Sequence, residues 1–253
     1  MKDRARVIGG IETVRAAKRS LGPGWIKDPK SGLYVKKTRS KNMIVLAGLS
    51  FMAKSIQYGN ADAGKTIRYI GVGAGRTLPA KDDVALVNEL ERHEIDSWDN
   101  TDIASDPVVM IATKLFNTTE ANGNLMEAGL FRSSTGAPMF CRGLFGHGYI
   151  TNATNADPVV IESEAHELAG GDLVYIEGVE GMTELNGNSY YVDVLTADTF
   201  ALYSDSGLTT TIDGSGYGAY SDASPNTAIW TVIIPKTAAE TLTINYSLTF
   251  PAE

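Results

Sequence analysis

Few residues have the types and spacing to do chemistry. Gly59-Asn60-Ala61-Asp62-Ala63-Gly64-Lys65-Thr66 matches the phosphate-loop pattern G-x4-G-K-T. In such a loop backbone amides surround the phosphates, Lys65 would bind the terminal phosphates and Thr66 a magnesium ion. That geometry needs a strand before the loop and a helix after it, because the helix N-terminus supplies the positive end of the dipole. Here a helical spacing precedes and Thr66–Val72 alternates like a strand, so a polar connecting loop is expected. Gly71-Val72-Gly73-Ala74-Gly75 has Arg76 where a dinucleotide fingerprint needs its third glycine, and reads as a strand-end turn. Cys141 is the single cysteine, which excludes an intrachain disulfide and a cysteine-based zinc site. It lies in the apolar run Met139-Phe140-Cys141 and is expected to be a buried structural thiol. His147 is near it in sequence between two glycines, and sequence cannot place it as a base. Glu162, Glu164 and Glu167 offer carboxylates for glycan cleavage. Positions 162 and 164 share one strand face, however, and a solvated face is expected. Asp205-Ser206-Gly207 and Asp213-Gly214-Ser215-Gly216 lack the spacing of a known calcium loop. Trp98, Tyr190, Tyr191, Tyr217 and Tyr220 could stack on sugars or serve as core and interface residues, the commoner fate. No catalytic, cofactor or metal set emerges, and a non-enzymatic chain is expected.

The elements that would position these groups are mostly strands. In the first twenty residues Val7, Ile8, Ile11, Val14 and Ala17 recur at three- and four-residue spacing, which predicts a helix ending at Leu21-Gly22-Pro23-Gly24. Residues 25–41 fit a loop or a loose hairpin, with Lys30-Ser31-Gly32 as a turn. Met43, Leu46, Ala47, Leu49, Ser50 and Ala53 predict a second helix over 42–58. Strand signals then dominate at Thr66–Val72, Val108–Phe116 and Pro138–Phe145. Residues 81–92 fit either a short helix or a strand. Thr241–Phe250 alternates strictly and is the clearest half-buried strand. Residues 148–228 are rich in Gly, Thr, Asp and Asn. Short β runs at Pro158–Ser163, Asp172–Ile176, Ser189–Leu195 and Thr199–Tyr203 fit a small all-β barrel or sandwich. Leu173, Tyr175, Val192, Val194, Phe200 and Leu202 would be its inward positions. The expected fold is mainly β with N-terminal helices. A discontinuous β-rich domain (42–147 and 229–253) is interrupted by an inserted small β domain (148–228) and preceded by a basic helix and arm (1–41).

Charge is unevenly spread. The chain of 253 residues carries a net charge of −8. Residues 1–41 hold twelve basic and three acidic residues, whereas no basic residue lies between Arg142 and Lys236. A basic head on an acidic body points to docking on something negative. Lys2, Arg4, Arg6, Arg15, Lys18, Arg19, Lys36, Lys37, Arg39 and Lys41 are the candidate docking arm. An acidic protein ring or the acidic body of a neighbouring copy is favoured over nucleic acid. No apolar run is long enough to span a bilayer, and the basic N-terminus lacks the apolar stretch of a secretory signal.

Two stretches resemble known families. Ile70–Gly75, Val84–Arg92, Asn122–Phe131 and Pro235-Lys236-Thr237 before the final strand follow an order that resembles phage tail-fibre and tail-collar virion domains. That resemblance covers about 42–146 and 229–253. It makes Glu127, Gly129, Leu130 and Phe131 a structural turn motif, with Leu130 and Phe131 buried and Glu127 free to bond the backbone amides of the turn. Ile150–Pro158, Ala165–Ile176, Gly178–Gly187 and Ala197–Leu202 are similar to a β-barrel module that phage structural proteins share with ubiquitin-activating enzymes, where it is the first catalytic-cysteine half-domain. This implies a fold only, since the insert has no cysteine.

Together these readings predict a structural component of a phage particle, assembled in the host cytoplasm. It would belong to the tail, neck, collar or fibre base. It would form a homo-oligomer and contact neighbouring tail or neck proteins. The alternative is a host-surface module whose insert binds a glycan or protein.

Overall fold

A computed structural model describes residues 8–48, 50, 66–99, 108–136, 138–221, 224 and 226–250. In chain order the strands are β1 (Ile8–Ala17), β2 (Ile26–Lys27), β3 (Tyr34–Ile44), β4 (Tyr69–Gly73), β5 (Glu89–Glu94) and β6 (Ser97–Asp99). They continue as β7 (Val108–Phe116), β8 (Gly123–Leu125), β9 (Glu127–Phe131), β10 (Met139–Leu144), β11 (His147–Tyr149) and β12 (Asn152–Ala153). The last are β13 (Val160–Glu162), β14 (Leu173–Glu177), β15 (Asn188–Val194), β16 (Thr199–Tyr203), β17 (Ile229–Lys236) and β18 (Glu240–Phe250). The protein is mainly β. Among the described residues no helix is long and apolar enough to cross a membrane.

The chain divides into two compact units. One holds residues 1–16, 37–145 and 235–253, and the other holds 17–36 and 146–234. The first unit is built on a sheet of order β5-β4-β9-β10-β3-β1-β18-β7-β6. Its longest ladder joins β18 and β7 antiparallel, from Leu242 opposite Phe116 to Phe250 opposite Val108. The alternation in β18 is explained by that ladder: Leu242, Ile244, Tyr246 and Leu248 point into the core, and the Thr, Asn and Ser residues between them stay half-buried. Each inward side chain contributes on the order of 1.5–3 kcal/mol through burial. Strand β9 is buried at all five positions and pairs with β4 and β10 on its two sides.

The N-terminal helix expected over 1–20 is not present in the described part, where residues 8–17 form β1. The segment contains Gly9 and Gly10, each costing about 1 kcal/mol in a helix relative to alanine. In the sheet it completes hydrogen bonding between β3 and β18. The helical spacing of Ile8, Ile11 and Val14 is therefore overridden by long-range pairing. The basic segment 1–41 is likewise no helix-and-arm, since its described part supplies β1, β2 and most of β3. In the stretch expected as a second helix, residues 42–44 end β3, helical backbone appears at 46–48 and 50, and 49 and 51–58 lie outside the described residues.

The second unit carries a sheet of order β11-β17-β14-β15-β16-β13-β12. Among the described residues no barrel is closed, yet the two ends of this order are consecutive in the chain. Between them the Ile150 amide donates to the Ala228 carbonyl and the Thr151 amide to the Glu162 carbonyl. Val159, Ile161, Val174, Ile176, Leu185, Val192, Phe200, Leu202, Trp230 and Val232 form the core. In β14 the inward residues are Val174 and Ile176, while Leu173 and Tyr175 are only half-buried, one residue out of the expected register. Val192, Phe200 and Leu202 face inward as expected, and Val194 is half-buried.

Candidate functional site

Two of the first unit's buried charges lie on β9 and β10. Glu127 and Arg142 are fully buried, and Arg142 Nε donates to Glu127 Oε2 at 2.7 Å. The Glu127 carboxylate also accepts the amides of Gly75 (3.0 Å), Val87 (3.2 Å) and Asn88 (2.8 Å). Arg142 donates onward to Asp83 Oδ2 at 2.9 Å and to the Thr77 carbonyl at 2.8 Å. Two buried side chains therefore hold the whole loop from Gly75 to Asn88. Gly73 and Gly75 let the loop approach, because a Cβ on Gly75 would lie 2.3 Å from Glu127 Oε1. The segment expected as a turn motif is thus a central strand. Glu127 binds the amides of a distant loop rather than those of its own turn, Leu130 and Phe131 are fully buried, and the Arg92 guanidinium sits 3.4 Å over the Phe131 ring. A Cβ at Gly129 would come within 2.9 Å of the Cys141 carbonyl. Sequence reasoning pointed to Glu127 but missed Arg142, whose neighbours Cys141 and Gly143 carry no charge signal.

A second polar cluster surrounds Lys236. Its ammonium, 2% exposed, donates to the Asn117 carbonyl and to Asn122 Oδ1, both at 2.9 Å. Burial lowers its pKa, and the fields of Glu240, Glu91 and Glu120 partly restore it. His93 lies against Glu91 (3.0 Å) and Glu120 (3.8 Å), edge-on to Phe116. A cavity of 270 Å³ lies on the same unit, lined by Glu12, Arg39, Ser40, Ile111, Asn245 and Ser247 among others. Arg39 Nε pairs with Glu12 at 2.7 Å at its rim.

The residues of the candidate docking arm fall into three groups. Lys2, Arg4 and Arg6 lie outside the described residues. Arg15 and Lys36 are internal struts: Arg15 holds Glu240 at 2.7 and 2.8 Å, and Lys36 holds Asp172 at 2.9 Å with both side chains buried. Lys18, Arg19, Lys37, Arg39 and Lys41 are exposed. Among the seven that are described, the two struts are withdrawn from any docking surface.

The remaining chemical candidates are engaged locally. Cys141 is fully buried, and burial pushes its thiol up to about 12, out of thiolate range at neutral pH. Burial lowers the pKa of half-buried His147. Glu162, Glu164 and Glu167 are exposed. Burial would raise the Asp205 carboxyl, but bonds from Thr210, Thr209 and Gly207 outweigh it and hold the pKa below the usual range. Asp213 is lowered by Ser215. Both aspartates close their own turns. Among the described residues no three His, Cys, Asp or Glu side chains are placed to share a metal. Tyr190 is buried with its hydroxyl on the Leu185 carbonyl, and Tyr220 donates to the Ile150 carbonyl at 2.7 Å. Trp98, Tyr191 and Tyr217 are half-buried. Of the phosphate-loop pattern only Thr66 is described, as a bend before β4.

In the second unit the turn Gly170-Gly171-Asp172 joins the strands to segment 17–36. The Lys36 ammonium donates to the Gly171 carbonyl at 2.8 Å as well as to Asp172. Pro23 packs on Gly171, whose φ of +76° suits glycine. Trp230 Nε1 donates to Ser163 Oγ at 2.8 Å in the core, beside Phe200.

Residues 159–220 match the FCCH domain of ubiquitin-activating enzyme E1. The match runs from just before β13 to past β16, well under half of the chain, and so describes this module alone. The FCCH-like module contains no cysteine, so thioester chemistry has no residue to carry it. No curated protein matches the chain.

Proposed function

We propose that this protein is a non-enzymatic structural component of a bacteriophage particle, placed in the tail, neck, collar or fibre base and assembled as a symmetric multimer. The observation that carries the reading is how buried charge is used. Glu127 with Arg142, Arg15 with Glu240, and Lys36 with Asp172 each tie strands or loops together. Each is consumed by scaffold contacts, which suits a part whose work is mechanical. The order of short motifs from Ile70 to Thr237, similar to tail-fibre and collar domains, gives the reading its virion context. The exposed cations left over from the basic N-terminal segment would meet a neighbouring subunit or ring.

Mass spectrometry of purified virions tests this directly. Peptides of this chain at a stoichiometric, multiple-copy level are the expected result, and their absence from intact particles overturns the reading.

A further inference from the structure

The β2–β3 hairpin has an unusual surface for the unit that carries it. Residues 146–234 contain no Lys or Arg and thirteen Asp or Glu. Against that field, segment 17–36 adds five basic residues and one acidic one. Lys36 is buried on Asp172, whereas Lys18, Arg19, Lys27 and Lys30 are exposed. The lone acid, Asp28, is occupied in the turn, accepting from the Lys30 and Ser31 amides. Beside these cations Ile26 is 72% exposed, the most exposed of the large apolar residues described. The tip is also held in place. Ile26 and Lys27 pair with Val35 and Tyr34, and the hairpin base is pinned by Lys36 on Asp172 and by Pro23 on Gly171. An exposed apolar residue on the same hairpin as Lys27 and Lys30 suits a partner that is acidic with some apolar surface. Residues 146–234 present exposed carboxylates, Glu162, Glu164 and Glu167 among them, so a second copy offers these cations the complementary charge.

We propose that the hairpin tip, centred on Ile26 with Lys27 and Lys30, docks on the acidic 146–234 surface of a second copy of this chain. The proposal rests on the multimer reading above and names its contact. A tip-to-body contact joins different surfaces on the two partners, so it closes into a ring or propagates as a filament. Complementary charge steers and registers the encounter, while burial of Ile26 supplies the apolar anchor.

The test uses the full chain and its Ile26→Asp and Lys27→Glu/Lys30→Glu variants. Sedimentation velocity is run over a concentration series at low and high salt, with thermal melts confirming that the variants fold. The expected result is a wild-type multimer that weakens with salt, and at least about tenfold weaker association in both variants. A multimer unchanged in both variants overturns this contact and leaves the multimer reading standing. A wild-type chain that stays monomeric throughout overturns the contact, with virion mass spectrometry deciding the broader reading separately. Cosedimentation with phosphatidylserine vesicles, lost in the variants and without self-association, overturns it in favour of a lipid surface.

Discussion

The Lys36 ammonium lies 2.9 Å from the Asp172 carboxylate, with both side chains buried, and fixes segment 17–36 to the turn that opens β14. The pair makes the hairpin part of the unit holding the FCCH-like module. Removing one partner leaves the other as an uncompensated buried charge. Lys36→Met or Asp172→Asn is expected to cost about 3–5 kcal/mol, and the Lys36→Met/Asp172→Asn double variant much less than the sum. Chemical denaturation of the four proteins, read as a double-mutant cycle, checks this. Additive losses would mean the two groups are not coupled.

The exposed pair Arg39–Glu12 provides the contrast. Arg39 is 78% exposed, so its 2.7 Å contact with Glu12 is screened by water and salt. Arg39→Ala is expected to change stability by less than about 1 kcal/mol. A loss comparable with that of Lys36→Met would show that geometry alone, without burial, decides these pairs.

Much of this architecture is visible in the sequence where local pattern and long-range pairing agree. Strand β18 alternates because one face is core, and β7 and β16 span the same residues as their β-branched and apolar runs. The module's turns are signalled by Gly170-Gly171-Asp172 and Asn186-Gly187. The misreadings come from competition between levels. Strand β1 has a helical spacing, but its partners β3 and β18 are remote in sequence and offer more hydrogen bonds than an isolated helix. In β14 the run Leu173-Val174-Tyr175-Ile176 is apolar on both faces, so alternation carries no register information. At the candidate site Glu127 stands out by its neighbours, yet the loop whose amides it binds lies some forty to fifty residues upstream. No local pattern encodes that contact.

Gly75 tests how tightly that contact is built. A methyl group there would meet Glu127 Oε1 at 2.3 Å, and the carboxylate is held by its other three bonds and has little freedom to move. Gly75→Ala is expected to destabilise by about 1–3 kcal/mol, in the range of other overpacked cores. Hydrogen exchange should localise the loss to amides 75–88. Protection retained there, with the loss spread elsewhere, would contradict the assignment of Glu127 as the loop's anchor.

Cys141 gives the protein a pH limit on the alkaline side. The thiol is fully buried, and burial raises its pKa from 9.0 in the unfolded chain to about 12. Between those values the folded state keeps a proton that the unfolded state loses, so the unfolded state is favoured as pH rises. The sign follows: the stabilisation is complete below pH 9 and is lost as pH climbs toward 12. The stability lost over that range is about 4 kcal/mol. Lys236 acts in the opposite sense. Burial lowers its pKa in the folded state, so its cost is relieved as pH rises toward its unfolded value of 10.5. Replacing Cys141 with Ala therefore isolates the thiol term. The variant should be less stable than wild type at pH 7, through its small cavity, and should lose less stability than wild type between pH 9 and 11. The native thiol should also resist a maleimide at pH 7 and react once the chain is unfolded in urea. Rapid labelling of the folded protein, or identical alkaline limbs for the two proteins, would show that the thiol is not sealed in the core.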